Sequence, residues 1–160
     1  MTHPLVDERT VGQVPLAQVL PPDEALRLDL QQTLQPAAAP WGVLTYLFTI
    51  LSNDRPIGRL ALRIGETPTI TLFAGHLGLG IDEPHRGLGF ARRAARLVLP
   101  LATAHRLDPM WITCSPHNTA SIRAIESLGA RYVETVIAPA GAVSSYQEEK
   151  QRYRLDLGST

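Results

Sequence analysis

GHLGLGIDEPHRGLGFARR, residues 75–93, is the stretch that decides how this 160-residue chain folds. Its first residues alternate: Leu77, Leu79 and Ile81 fall on one face of an extended strand, and His76, Gly78 and Gly80 on the other. Its end opens a helix running from about Arg86 to His105. Leu88, Ala91, Ala95, Val98 and Ala102 recur there at helical spacing, with Arg92, Arg93 and Arg96 largely off that face. Glycine weakens both strands and helices, so the five glycines of this stretch need a reason.

Upstream, WGVLTYLFTILS (41–52) is β-branched and aromatic, SNDRP is turn chemistry, and IGRLALRI (57–64) alternates. That predicts an antiparallel hairpin, with a third strand from Ile70 to about Asp82 completing a meander. Before it, LVDERTVGQV (5–14) reads as a short strand, and PPDEALRLDLQQTL (21–34) as a Leu-spaced helix that QPAAAP stops. Downstream, Pro100 interrupts the helical pattern and should kink it or cost a hydrogen bond. MWITCS (110–115) is a buried strand. Asn118 begins a second helix with Ile122, Ile125 and Leu128 inward, and Gly129 closes it in a left-handed cap. ARYVETVIA and KQRYRLDL then form a closing hairpin around PAGAVSSYQEE. The order predicts one α/β domain over 1–160, built on a mostly antiparallel sheet, with 1–40 its least defined part.

Composition narrows the function. Net charge is zero, with 14 arginines but Lys150 as the only lysine, which offers no case for a nucleic-acid or membrane-surface partner. Cys114 is the only cysteine, so no intrachain disulfide forms. The N-terminus lacks a signal-peptide pattern and no apolar run approaches the ~20 residues of a membrane span, so a cytoplasmic location is expected.

A helix N-terminus presents unpaired backbone N–H groups and partial positive charge. Gly87 and Gly89 let a phosphate approach those groups, with Arg86 beside them; the rival reading is a strand-to-helix turn in which glycine only relieves strain. The stretch lacks the Gly-Lys-Ser/Thr of a P-loop and the third glycine of a Rossmann fingerprint.

From Gly75 to Val133 the chain resembles the GNAT family of acetyl-CoA-dependent N-acetyltransferases. Arg86, Gly89 and Ala91 fill the fixed places of the family's pyrophosphate signature, Arg/Gln-x-x-Gly-x-Gly/Ala, and NTASIRAIESLGARYV resembles its second motif. More narrowly, GHLGLGI, SPHNTASIRAIESLGA and QRYRL resemble a bacterial subgroup of acetyltransferases with unassigned substrates. The resemblance implies a mixed, mostly antiparallel six- to seven-stranded sheet flanked by helices. The strand holding GHLGLGI should splay from MWITCS to admit pantetheine. It implies coenzyme contacts from Leu79, Gly80 and Ile81, from the turn Arg86, Gly87, Leu88, Gly89, Phe90 and Ala91, and from Asn118 and Ser121. Arg92, or Arg93 as the alternative, lies a turn beyond the glycine loop, where it either reaches the 3′-phosphate or belongs to a solvated helix face. Asn118 is also a helix N-cap on its own account.

Acetyl transfer needs a neutral amine, a polarised thioester carbonyl and a protonated leaving thiolate. His76, ten residues before Arg86, is the candidate base, against a histidine hydrogen-bonded within the sheet. The family's tyrosine on the second helix is replaced by Ile125, leaving Tyr132, Tyr146 or Tyr153 as the acid, with Tyr153 preferred, or solvent itself. No metal site is expected: His117 has no Cys/His set around it. The expected partners are acetyl-CoA and an amine, on a monomer or homodimer. A non-catalytic acyl-CoA sensor and a phosphate-binding domain unrelated to coenzyme A are the competing readings.

Overall fold

The computed structural model describes residues 10–11, 14–15 and 26–158. β1 (Thr10–Val11) and β2 (Val14–Pro15) pair antiparallel. Four strands follow in one antiparallel sheet, in the order β3 (Leu26–Leu34), β4 (Leu44–Ser52), β5 (Arg55–Ile64), β6 (Leu77–Ile81). A second antiparallel sheet has β9 (Glu148–Leu155) between β7 (Met110–Cys114) and β8 (Arg131–Ala138). Helix α1 (Phe90–Ala104) connects the sheets, and α2 (Thr119–Ser127) joins β7 to β8. The mostly antiparallel sheet expected from the sequence is thus two blocks of four and three strands.

The β4–β5 hairpin turns on Asn53 and Asp54, both with positive φ (49° and 64°), which suits the right-handed twist of the flanking strands. α1 buries Ala94, Ala95, Leu97, Val98, Leu101 and Ala102 in the same core as Phe48, Ile50, Leu60, Leu62 and Leu77. The helix continues through Pro100 to Ala104. Gly129, at φ 91°, lies just past Leu128, the C-cap of α2, and its N–H donates to the Glu126 carbonyl.

Three expectations need correction. Residues 26–34 form a strand, not the end of a helix; residues 21–25 lie outside the described residues, as do most of 5–14. LRLDL alternates, so Leu26, Leu28 and Leu30 face the core while Arg27, Asp29 and Gln31 are exposed. On a helix Leu28 would point nearly opposite to Leu26 and Leu30. Thr69–Ala74 is a wide helical turn rather than the start of β6. Pro68 leads into it, and the Gly75 N–H closes it on the Ile70 carbonyl (2.7 Å). Arg152 pins this turn to the second sheet, donating from Nε and Nη2 to the Thr71 carbonyl (3.1 and 2.9 Å) while stacking over Trp111. Leu88, assigned to the buried face of α1, is 65% exposed, because it precedes the helix in the glycine turn.

Candidate active site

Between β6 and β7 the two sheets meet at one residue. The His76 N–H donates to the Trp111 carbonyl (2.7 Å), and the His76 carbonyl accepts from the Arg63 N–H (2.7 Å). The Trp111 N–H in turn donates to His76 Nδ1 (2.8 Å). A nitrogen that accepts carries no proton, so the neutral ring holds its hydrogen on Nε2. That hydrogen points at the Gly65 carbonyl (2.9 Å), with a Glu66 carboxylate oxygen at 3.2 Å. The ring is wholly buried, and burial lowers its pKa despite the opposing pull of Glu66 and Gly65. The sequence places His76 on a cleft-facing side; the structure turns the ring into the seam, with both nitrogens engaged. Gly75 makes the seam possible: its φ is 75°, and a Cβ there would stand 3.1 Å from Thr113 N and Trp111 O.

Beyond this seam no ladder joins β6 to β7. Arg63 bonds His76, and Asp82 bonds Ile57 (2.8 Å), so the alternation of an antiparallel ladder fixes everything between. Gly78 and Gly80 turn their backbone groups toward β5. Leu77, Leu79 and Ile81 turn theirs toward the open edge facing β7. Of the three residues expected at pantetheine, Leu79 and Ile81 present N–H groups to the gap, whereas Gly80 offers only its missing side chain.

At the far end of β6 the chain rises into α1 through the glycine turn. Gly87 and Gly89 have φ of 78° and 80°, and a Cβ on either would meet nothing within 4 Å. Open space surrounds them, so backbone conformation and access, not crowding, call for glycine. The Arg93 N–H donates to the Gly89 carbonyl (3.3 Å), the first bond of the helix. The N–H groups of Gly87, Leu88, Gly89, Phe90, Ala91 and Arg92 have no partner among the described residues. Arg86 lies beside them, its Nε on the Ile81 carbonyl (2.8 Å), and Arg92 is exposed. Arg93 stacks on Phe90.

At α2 the Asn118 side chain accepts from the Ser121 N–H (3.1 Å), capping the helix. Ile125 is buried in the core. Tyr153 lies on β9, 2% exposed, its hydroxyl donating to Gln151 (3.1 Å). Burial raises its pKa, and Cys114 and Glu126 add to the shift, so the phenol keeps its proton at neutral pH. Arg63, which the sequence did not single out, stands over Gly78; an isolated arginine in a strand gives no signal of that. A shallow groove lined by Leu99, Pro100, Leu128, Leu155 and Leu157 lies along the other end of α1, away from the glycine turn. Among the described residues no three His, Cys, Asp or Glu side chains cluster as metal ligands, and no helix is long and apolar enough to cross a membrane.

Residues 6–131 match the model of the acetyltransferase (GNAT) domain family. Among curated proteins none matches. Among solved structures, the chain is similar to a ribosomal-protein-S5-alanine acetyltransferase from Vibrio fischeri, with 19% identity and a TM-score of 0.58 over 72% of this chain and 63% of that one. It is similar to RimL, a ribosomal L7/L12 α-N-protein acetyltransferase, in an apo crystal form, with 14% identity and a TM-score of 0.64 over 88% and 99%. A third is YncA, a putative acetyltransferase from Salmonella typhimurium with its cofactor acetyl-CoA, at 16% identity and a TM-score of 0.56 over 72% and 66%. The chain spans 63% of the Vibrio protein and 60% of a second RimL crystal form.

Proposed function

The chain belongs to the GNAT acetyltransferase family, and from that premise we propose that it is an N-acetyltransferase taking acetyl-CoA and an amine together in a ternary complex. The observation that carries this is the run of unpartnered N–H groups from Gly87 to Arg92 at the start of α1, which follows β6 in the chain. Donors of that number at a helix N-terminus suit a pyrophosphate. Arg86 and Arg92 add full charges for the nucleotide phosphates, and Asn118 with Ser121 lines the coenzyme arm at α2. The N–H groups of Leu79 and Ile81 suit pantetheine and the thioester carbonyl. Acetyl-CoA supplies a thioester whose carbon bonds the amine nitrogen as the C–S bond breaks, sulfur keeping the electron pair.

In this reading the Leu79 N–H stabilises the charge that develops on the carbonyl oxygen. His76 is a positioning residue: it fixes where β6 leaves β7, and the amine loses its proton to solvent. Tyr153, protonated and beside Cys114 and Glu126, is the proposed source of the proton that reaches sulfur. The test is release of free thiol from acetyl-CoA against a panel of amines. Amine-dependent release above background is expected. Acetyl-CoA binding without release by any amine would instead favour the sensor reading, which Ile125 at the usual tyrosine position motivates.

A further inference from the structure

The face of the β3–β6 sheet turned away from α1 carries a feature distinct from the backbone N–H groups proposed for the coenzyme. Ala61 stands opposite Gly78, and Arg59 opposite Gly80, across the β5–β6 ladder. Because side chains alternate, these four residues share one face with Arg63. Leu60, Leu62, Leu77 and Leu79, which join the α1 core, project from the other. Ala61, Gly78 and Gly80 therefore make a nearly bare floor, with an arginine at each end about 13 Å apart along the strand. A Cβ on Gly80 would meet nothing within 4 Å, and one on Gly78 would first meet Arg63 Nη2 at 2.6 Å. The Arg63 guanidinium thus lies directly over the backbone of the strand whose other edge faces the gap.

Arg63 is held there firmly. Nη1 donates to the Ala74 and Gly75 carbonyls (3.1 Å each), and the guanidinium stacks over Trp41 at 4.6 Å. Among the described residues no carboxylate pairs with it, and burial brings its pKa down to about 10. A desolvated cation without a counter-charge is costly, and an incoming anion relieves the cost. Arg59 is exposed and has no partner among the described residues.

We propose that this floor binds the acetyl acceptor, and that Arg63 and Arg59 select an amine that also carries an oxyanion, a carboxylate or a phosphate. The proposal rests on the acetyl-transfer reading for the word acceptor, but the site itself is a property of these strands. Two cations repel a polyamine. They also lower the pKa of an ammonium bound nearby, which favours the neutral nucleophile without a dedicated base.

Calorimetry on the full chain, with and without coenzyme A, tests this with matched ligands. Each α-amino acid is compared with its decarboxylated amine, and O-phosphoethanolamine with ethanolamine; the first set reports carboxylate recognition and the second phosphate recognition. The expected result is that at least one anion-bearing member binds about tenfold or more tightly than its partner. Arg59→Gln, which removes no bond within the fold, should erase most of that preference, and Arg59→Lys should restore part of it. Equal binding across every pair, tighter binding of the anion-free members, no binding by any member at millimolar concentration, or a preference unchanged in Arg59→Gln would each overturn the proposal. Anion-selective binding without thiol release would sink acetyl transfer and keep the site. Thiol release indifferent to the anion would do the reverse.

Discussion

His76 carries a fixed tautomer, and this makes stability depend on pH in a definite direction. Burial holds its folded pKa below the unfolded value of about 6.5, so between the two the unfolded chain binds the extra proton. Stability is complete above about pH 6.5 and is lost as pH falls through the folded pKa. His105, whose Nε2 lies 2.9 Å from the Tyr46 hydroxyl, is depressed by the same cause and adds to the slope. The thermal midpoint should therefore fall between pH 7 and pH 5, and His76→Gln should make that fall shallower. The same variant should lower the midpoint at pH 7. It leaves the Trp111 N–H and the Gly65 carbonyl poorly paired, at about 1–3 kcal/mol for each, and about 2–4 °C per kcal/mol. Its kcat/KM profile over pH 6–9 should keep the wild-type shape; loss of the acidic limb would make His76 the base after all. Tyr153→Phe should lower kcat while leaving the KM for acetyl-CoA unchanged, and an unaltered kcat would leave protonation of sulfur to solvent. The sequence drew attention to His76 but not to its surroundings. The backbone groups that hold its two nitrogens lie 11 and 35 residues away and leave no mark on residue identity.

The glycine turn and α1 were legible because their signals are local. Helical periodicity, two glycines and a flanking arginine all fall within residues 86–105, and the structure shows positive φ at both glycines. Gly89→Ala tests the turn. Alanine at φ 80° costs roughly 1–2 kcal/mol and disturbs the N–H groups at the start of α1, so acetyl-CoA should bind about tenfold more weakly. Thermal stability without ligand should change by only a few degrees, because nothing packs where the new Cβ would stand. Unaltered acetyl-CoA binding despite that loss of stability would point to a merely structural turn. Two other elements were harder to read. LRLDLQQTL is rich in helix formers, and only its pairing with β4 settles it as a strand. TITLFA has β-branched, strand-like composition, yet Pro68 leads into it and Arg152, eighty-one residues later, holds it as a turn.

At the scale of the molecule, two antiparallel sheets meet at a one-residue seam and open beyond it, and α1 begins where the opening ends. In the larger sheet the order β4-β5-β6 follows from the meander that turn chemistry announces, whereas β3, read from the sequence as helix, does not. The position of β9 between β7 and β8 does not, because a closing hairpin alone leaves open which of its strands meets β7. The open edge of β6 and the bare floor under Arg63 share one strand of five residues, and the glycine turn follows that strand in the chain. The central claim is that the open edge of β6 and the glycine turn hold acetyl-CoA. Mapping backbone amide chemical shifts as acetyl-CoA is added tests it most directly. Large shifts should appear at Gly87 to Arg92 and at Leu79 and Ile81, with little change along Leu99, Leu155 and Leu157. Shifts confined to that far groove, or no saturable change at the glycine turn, would contradict the account.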